Sequence, residues 1–408
     1  MRLLFPYLAR WQSANWSRYH NLLGALARRG HEVLVLQAPA RPDARETNYV
    51  DLGGALAPGI RLLDVPVLQP LWQPRYPLDK LAKKGLVSVA TRLAVGAVAR
   101  QQAVDVLLLY NVPQVVLLGA TRATVVVDLA DDLLAMLRHE AGPWLRPLAL
   151  PPARQSLRAL IAAADLVITP SSVLAQRLGP KVRVLPNGAD LARTARADGT
   201  AIRARYGTPL VAFVGAFEYV VDFPLVLEVA SRLPRCTFLL VGGGRDLARV
   251  RAEVRRRELT NVVLPGPVDY ATALDYMAAC DVALLPRRLD PVSHAAAPLK
   301  LFEYAALRRP VVATPVAETR RLAGGWAHFG ATADEWVRAI ERILAEPARA
   351  AAMAARGYAL VADHYRWDDL AAELERQILC VRTAAGGGAA ERDALTAHGP
   401  RSTGGGAL

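Results

Sequence analysis

The sequence predicts an α/β protein made of two doubly wound domains facing each other across a cleft, and three observations carry that prediction. Short, uniformly apolar runs alternate with longer segments of helical periodicity, as expected of parallel strands covered on both faces. The alternation runs from Arg2 to Leu185, halts at Pro186-Asn187-Gly188-Ala189-Asp190, and restarts at Leu210. At 408 residues the chain is long enough for two cores of ordinary size.

Composition narrows the function classes. Apolar residues make up 53 % of the chain, so nearly all of it should fold. Cys236, Cys280 and Cys380 lie far apart in apolar surroundings, which argues against a disulfide framework or zinc site and fits a reducing cytoplasm. The histidines show no ligand-like spacing, so no metal site is expected. Charge is uneven. Residues 1–196 hold 24 Lys+Arg against 13 Asp+Glu, and residues 197–408 hold 26 against 24, within a formal net charge of +13. A basic first half faces an anionic partner, and an anionic membrane surface is preferred over nucleic acid, because no aromatic-interleaved basic stripe is present. Pro6 and Arg10 interrupt the short apolar start, so no signal peptide is expected. No apolar run reaches the roughly 20 residues that a spanning helix needs. The expected location is cytoplasmic, either free or peripheral on the inner face of the membrane.

In the first domain, residues 2–9 read as a strand, followed by the loop from Trp11 to Trp16. A helix over Tyr19–Arg29 carries Leu22, Leu23 and Leu26 on one face and closes with Arg28-Arg29-Gly30. Val33–Gln37 is the second strand, and the Pro-rich residues 39–77 are irregular apart from a short strand near Ile60–Val67. Leu78 to Arg100 is an amphipathic helix with Leu78, Leu81, Leu86, Val89, Leu93 and Ala97 in one stripe. Its lysines and Arg92 face away, either as a solvated surface or as contacts to anionic lipid. Asp105–Tyr110 and Thr124–Leu129 are buried strands, and Asp128, Asp131 and Asp132 cluster after the second, where open α/β sheets bind ligands. Capping of the next helix is the alternative role for these aspartates. A helix over Arg154–Ala164, the strand Leu166–Thr169, a helix over Ser172–Leu178 and the strand Val182–Leu185 complete the domain. Residues 193–205 read as a polar linker.

The second domain restarts with the strand Leu210–Gly215, a helix over Phe223–Leu233 and the strand Thr237–Val241. Gly242-Gly243-Gly244 is either a plain tight turn or a phosphate cradle, and Gly215-Ala216-Phe217 is the better place for a close backbone–phosphate approach. Further strands follow at Val262–Leu264 and Val282–Leu285, the latter ending near Arg287 and Arg288, candidate anion contacts. Pro298 is placed to start a helix whose missing N–H costs nothing in the first turn. Lys300 in that turn opposes the helix dipole and is poorly explained by helix stability. Glu303 lies one turn on, on the same side. A cation for phosphate and a carboxylate for sugar hydroxyls suit a nucleotide sugar; a surface ion pair on an ordinary βα unit is the alternative. Helices over Asp334–Leu344 and Ala348–Asp363 precede a last helix from Trp367 to near Cys380, and the Gly/Ala-rich residues 383–408 read as a disordered tail.

Pro298-Leu-Lys-Leu-Phe-Glu-Tyr-Ala-Ala-Leu-Arg-Arg-Pro-Val-Val-Ala-Thr314 resembles the donor-binding signature of retaining two-Rossmann (GT-B type) glycosyltransferases, family 4, "glycosyl transferases group 1". The first βαβ unit, the segment Val127-Asp-Leu-Ala-Asp-Asp-Leu133, the turn at Pro186–Asp190 and the segment Asn261–Tyr270 are similar to the same family, so the likeness spans roughly residues 2–380. It implies an acceptor domain over 1–192, a nucleotide-sugar domain over 193–366, and a helix over 367–382 crossing back to the first domain. It also implies transfer of a sugar from a nucleoside diphosphate to an acceptor hydroxyl with retention, in surface polysaccharide or glycolipid synthesis. By this resemblance Lys300, with the N–H groups of Leu299 and Lys300 behind Pro298, stabilises the leaving diphosphate, and Glu303 binds ribose. Gly215 and Phe217 border the donor, Arg287 adds an anion contact, and Trp16, Arg18 and His20 face the substrate. Asp131 is the carboxylate nearest the reaction centre. No protein nucleophile, metal or cofactor beyond the donor is implied. Two departures stand out: Ala295 occupies the position of the family's first glutamate, and Arg309 that of a glycine. They keep a non-catalytic, glycosyltransferase-like binding protein open beside a two-Rossmann sugar-nucleotide epimerase.

Overall fold

The computed structural model describes residues 1–12, 16–37, 56–66 and 79–396, with 79–87 and 385–396 as backbone alone. The first sheet holds β1 (Arg2–Tyr7), β2 (Glu32–Gln37), β3 (Ile60–Asp64), β4 (Val106–Leu109), β5 (Thr124–Asp128), β6 (Leu166–Thr169) and β7 (Val182–Val184). The second holds β8 (Leu210–Val214), β9 (Thr237–Val241), β10 (Val262–Gly266), β11 (Val282–Leu285), β12 (Val311–Ala313) and β13 (His328–Phe329). Their orders are β3-β2-β1-β4-β5-β6-β7 and β10-β9-β8-β11-β12-β13, so the second domain repeats the plan of the first.

Every pairing is parallel, as with Arg2↔Glu32 through Tyr7↔Gln37. Helices therefore cover both faces of each sheet, and the central strands lie buried along nearly their whole length, which is why they read as unbroken apolar runs. The strand order reverses between β1 and β4 and again between β8 and β11. The loops leaving these strands open the crevices in which such sheets bind ligands.

The helix Leu299–Ala306 is fixed by Leu301, Phe302, Tyr304 and Ala305, all buried in the second core. Burial of Leu301 and Phe302 stabilises its position by about 2 kcal/mol each. Val214 N–H also donates to the Tyr304 hydroxyl (3.1 Å), tying the helix to the end of β8.

Several elements differ from their sequence-based expectation. The helix Asp79–Gln102 packs through Thr91, Ala94 and Val95, whereas Val89 and Leu93 are 57 % and 71 % exposed. Val89 and Leu93 of the expected stripe thus point outward, because the neighbouring face of Thr91, Ala94 and Val95 is the one that meets the first core. The side chains of Leu78, Leu81 and Leu86 lie outside the described residues. Residues 193–205 are not an extended linker: Asp190 caps the short helix Leu191–Thr194, and a second helix spans Thr200–Tyr206. The helix expected from Arg154 begins at Arg146 and carries Pro151 and Pro152 on its exposed side.

The last helix, Trp367–Thr396, is longer than its apolar pattern, so residues 383–396 are helical backbone and not a disordered tail. An already nucleated helix extends through the glycines at about 1 kcal/mol each. Residues 397–408 lie outside the described residues. Trp367, Leu370, Ala371, Leu374 and Ile378 of this helix belong to the core of the first sheet, and Arg28–Asp368 (2.8 Å) and Arg29–Glu375 (2.7 Å) pair along its flank. Among the described residues, no helix is long and apolar enough to cross a membrane.

Candidate active site

The N-terminus of the helix Leu299–Ala306 points into the cleft, with Pro298 as N-cap and no capping side chain. Lys300, 25 % exposed in its side chain, holds Nζ 2.9 Å from Glu303 Oε2. Glu303 is buried, and its Oε1 accepts a hydrogen bond from the Tyr270 hydroxyl (2.6 Å). Burial, then the neighbouring Glu303 carboxylate, hold the Tyr270 phenol well above its ordinary pKa, so it stays a donor. Glu303 thus anchors Lys300 and Tyr270 from beneath.

Beside this tip lies a cavity of about 200 Å³ bordered by Gly215, Gly242, Gly243, Pro267, Tyr270 and Lys300. The glycine run is more than a turn. Gly242 has φ +138°, and a Cβ there would strike the Gly215 carbonyl. The loops after β8 and β9 can therefore lie backbone against backbone only with glycine, and their contact forms the cavity wall. Trp16, reaching over from the first domain, stacks on Tyr270 (4.9 Å between centroids, 11° between planes), and Arg193 lies 4.3 Å from the Trp16 ring centroid.

Phe217 does not border the cavity. Its ring is fully buried against Phe223 (4.5 Å) and Phe213 (5.9 Å), and only its backbone, with N–H donating to Gly243 O (2.8 Å), supports the loop. Aromatic surface of that size is stabilised inside the second core.

Arg18 is likewise turned away from substrate. Its Nε donates to Asp128 Oδ2 (2.8 Å), Nη1 to Pro186 O (2.8 Å) and Asn187 Oδ1 (2.9 Å), and Nη2 to Leu185 O (2.9 Å). Asn187 Nδ2 in turn donates to Ala297 O (2.7 Å), just before the donor-side helix. Asp128 is the partner of a buried cation, so of the aspartate cluster only Asp131 and Asp132 remain near the cleft. Asp132 caps the helix Leu133–Glu140 and pairs with Arg177 (2.6 Å).

Asp131 follows the end of β5 and lies within electrostatic reach of Arg287. Surrounding protein atoms raise its carboxyl pKa although the residue is exposed to solvent, the Arg287 guanidinium lowers it, and Asp128 and Asp132 raise it again. Burial also pushes the Arg287 guanidinium down, with Asp131, Asp290 and Tyr219 opposing that shift. The structure thus brings together two residues 156 positions apart that the sequence nominated separately. Tyr219, whose phenol is pushed up to about 12 chiefly by burial, stacks on His139 across the cleft (3.9 Å). Ala295, at the position of the family's first glutamate, is fully buried and presents no group to the cleft.

The sequence had not singled out Tyr270, Arg193, Tyr219 or His139. Tyr270 alone carried a signal, because it follows Asp269, the N-cap of its helix, at the end of a segment that resembles the family.

His20 is buried between Trp11 (4.1 Å) and Trp16 (5.1 Å), with Nε2 against Trp11 O (2.9 Å). Burial pushes its pKa from 6.5 down to about 4. The unfolded chain takes up this proton near its ordinary pKa, and the folded chain only near 4. Stability is therefore full above the ordinary histidine pKa and falls as pH drops toward 4, by up to about 3 kcal/mol from this residue. Urea midpoints of wild type and His20→Gln across this range should converge as pH falls; parallel curves would refute the assignment.

The site's sequence segments match known families. Residues 16–188 match the "Glycosyl transferase 4-like domain" and residues 208–346 match "Glycosyl transferases group 1". A Bacillus subtilis protein named as a glycosyltransferase of teichuronic acid biosynthesis is 30 % identical over 173 residues, covering 41 % of this chain and 43 % of that one. A Corynebacterium glutamicum protein named as a GDP-mannose-dependent monoacylated alpha-(1-6)-phosphatidylinositol monomannoside mannosyltransferase is 28 % identical over 258 residues, covering 56 % and 65 %. In both cases the aligned region spans less than two thirds of the relative's length. Among solved structures, sucrose-phosphate synthase from Thermosynechococcus elongatus matches with TM-score 0.71 at 18 % identity over 94 % of this chain and 100 % of that one. Anabaena HepE in complex with UDP-glucose matches with TM-score 0.67 at 16 % identity, also over 94 % and 100 %. With its first domain matched by the glycosyl transferase 4-like model and its second by the glycosyl transferases group 1 model, and with two sheets of the GT-B plan, the chain belongs to the group 1 / family 4 glycosyltransferases.

Proposed function

We propose that this chain transfers a sugar from a nucleoside diphosphate to an acceptor hydroxyl with retention, in the synthesis of a surface polysaccharide or glycolipid. The observation that carries the reading is Lys300, held by Glu303 at an open helix tip beside a glycine-walled cavity. As the bond between sugar C1 and the diphosphate oxygen breaks, negative charge builds on the leaving phosphate. The Lys300 ammonium and the N–H groups of the helix tip lie where they stabilise it without reorganising. The acceptor oxygen bonds to C1 from the same face, and its proton passes to the departing phosphate. Asp131 orients the acceptor hydroxyl, and no protein nucleophile or metal takes part. The names of relatives and neighbours, which speak of mannosyl transfer and UDP-glucose, support the class of donor.

A second reading, a binding protein without turnover, draws on buried Ala295 alone. Thermal unfolding with millimolar UDP, GDP, dTDP and ADP separates the two. One nucleotide is expected to raise the Tm of the wild type, by linkage of binding to folding, and to fail with Lys300→Met and Glu303→Gln. If no nucleotide shifts the wild type, the transfer reading falls.

A further inference from the structure

A second cavity, of about 430 Å³, opens on the other side of the cleft. It lies between the helices Leu133–Glu140, Arg146–Ala163 and Ser172–Leu178 of the first domain and the start of the short helix Pro291–Ala295 of the second. Its wall combines arginines with apolar side chains, chiefly Arg138, Arg146, Arg154, Arg177, Leu134 and Leu150.

The charges do not cancel. Arg177 is neutralised by Asp132 (2.6 Å), and Asp290 Oδ1 is occupied by Ser293 N–H (2.7 Å) as a helix cap. Arg146 is aimed by its Nε, which donates to the carbonyls of Arg138 (2.9 Å) and Ala141 (3.1 Å). Arg138, Arg146 and Arg154 pair with no carboxylate among the described residues. Three guanidiniums without carboxylate partners give the cavity wall a positive charge, and their planar forks suit phosphate oxygens.

The segment that supplies Arg146 and Leu150 also carries a run of apolar side chains out into solvent. Trp144 is 91 % exposed, Leu145 60 % and Leu148 74 %. Trp144 and its neighbours find no partner in the fold, yet they sit beside a cationic pocket, the arrangement that an anionic head with an apolar chain would cover.

The cavity adjoins the reaction centre. Asp132 on its wall follows Asp131 in the chain, His139 stacks on Tyr219 (3.9 Å), and Asp290 lies close enough to Arg287 to act on its guanidinium. A molecule seated here would lie next to Asp131 and Arg287.

We propose that this cavity holds the anionic group of the acceptor, and that the acceptor is an amphiphilic phosphate or diphosphate ester. Arg138, Arg146 and Arg154 take the phosphate oxygens, and Leu134, Leu150 and the exposed Trp144–Leu148 edge take the apolar chain. The identification as an acceptor rests on the transfer reading; the anion site itself does not.

The test uses decyl phosphate as probe, with inorganic phosphate and decyl glucoside beside it, titrated calorimetrically into the full chain and into Arg138→Ala/Arg154→Ala. Circular dichroism and Tm confirm that this surface variant folds. Decyl phosphate is expected to bind the wild type more tightly than either partial probe, and the variant roughly ten- to a hundredfold more weakly. The Tm shift caused by a nucleoside diphosphate should persist in the variant. Equal binding to both proteins, no binding to either, or equal response to decyl glucoside would overturn the proposal. Binding of decyl phosphate that the variant loses, in a chain that answers to no nucleotide, would uphold the anion site and refute the transfer reading. A parallel arm with phosphatidylcholine vesicles, with and without phosphatidylglycerol, separates the pocket from general attraction to a charged surface: flotation unchanged in the variant, with decyl phosphate binding lost, assigns the anion to the cavity. Flotation and decyl phosphate binding that both ignore the variant would assign it to the basic surface and overturn the proposal.

Discussion

Lys300→Met is expected to lower kcat by roughly 10²–10³, the loss measured when one preorganised group facing a developing oxyanion is removed. The ammonium lies 2.9 Å from Glu303 Oε2 at a helix tip whose N–H groups share the work, so its charge is fixed before the donor arrives. Methionine keeps an apolar stem of similar length and removes the charge, together with the contact of Nζ to the Tyr270 ring (5.7 Å to the centroid). Glu303 would then lose its cation but keep the Tyr270 hydroxyl, so some stability goes as well, about 1–3 kcal/mol. Kinetics and unfolding must therefore be measured on the same preparation. Lys300→Arg should retain the fold and recover part of kcat, because a planar guanidinium carries the charge on a different geometry. A Lys300→Met enzyme that turns over within a few-fold of wild type would remove Lys300 from the chemistry.

Arg18→Met is expected to cost about 3–5 kcal/mol of folding stability, since it strands Asp128 as a buried charge without its cation. Four hydrogen bonds from one guanidinium also go, three of them to the Leu185–Asn187 turn that joins the domains. Burial already raises the Asp128 carboxyl, and Arg18 is what lowers it. Without Arg18 the folded carboxyl rises further, so the unfolded chain ionises first and the variant loses stability as pH climbs through the carboxylate range. Urea unfolding across that range measures the loss. The double variant Arg18→Met/Asp128→Leu should regain much of the difference, because an apolar pair leaves no buried charge. If the single variant unfolds like wild type, Arg18 is free to serve substrate after all. The turn matters to the site because Asn187 passes from Arg18 to Ala297, so the first domain's buried ion pair holds the loop that enters the Lys300 helix.

The two-domain plan was legible because parallel strands buried on both faces must be apolar throughout, and such runs survive in one dimension. The helix tip at Lys300 was legible for a related reason. A lysine in a first turn opposes the dipole, and that local misfit needs no partner to be noticed. The return of the final helix to the first domain was an expectation from the family resemblance, and its full length was not foreseen, because extension costs little once a helix is nucleated.

Side-chain destinations were not readable. Arg18 starts the helix Arg18–Arg28 and Phe217 lies in the loop after β8, both places where a sequence offers the same pattern whether the group meets ligand or protein. Only the closure of the chain, which brings Asp128 and Leu185 to Arg18 and Phe223 to Phe217, decided that both are spent on the fold. The stripe from Val89 to Leu93 faces solvent for the converse reason: periodicity marks a face, and the surface it meets is set by other segments. Tyr270 against Glu303, Trp16 on Tyr270 and Asp131 within reach of Arg287 join positions distant in the chain. The sequence by itself determined which elements form and which end of each sheet is open. The tertiary structure decided which charges are buried with partners and which are left facing the cleft, because burial and pairing depend on residues brought together only by the fold.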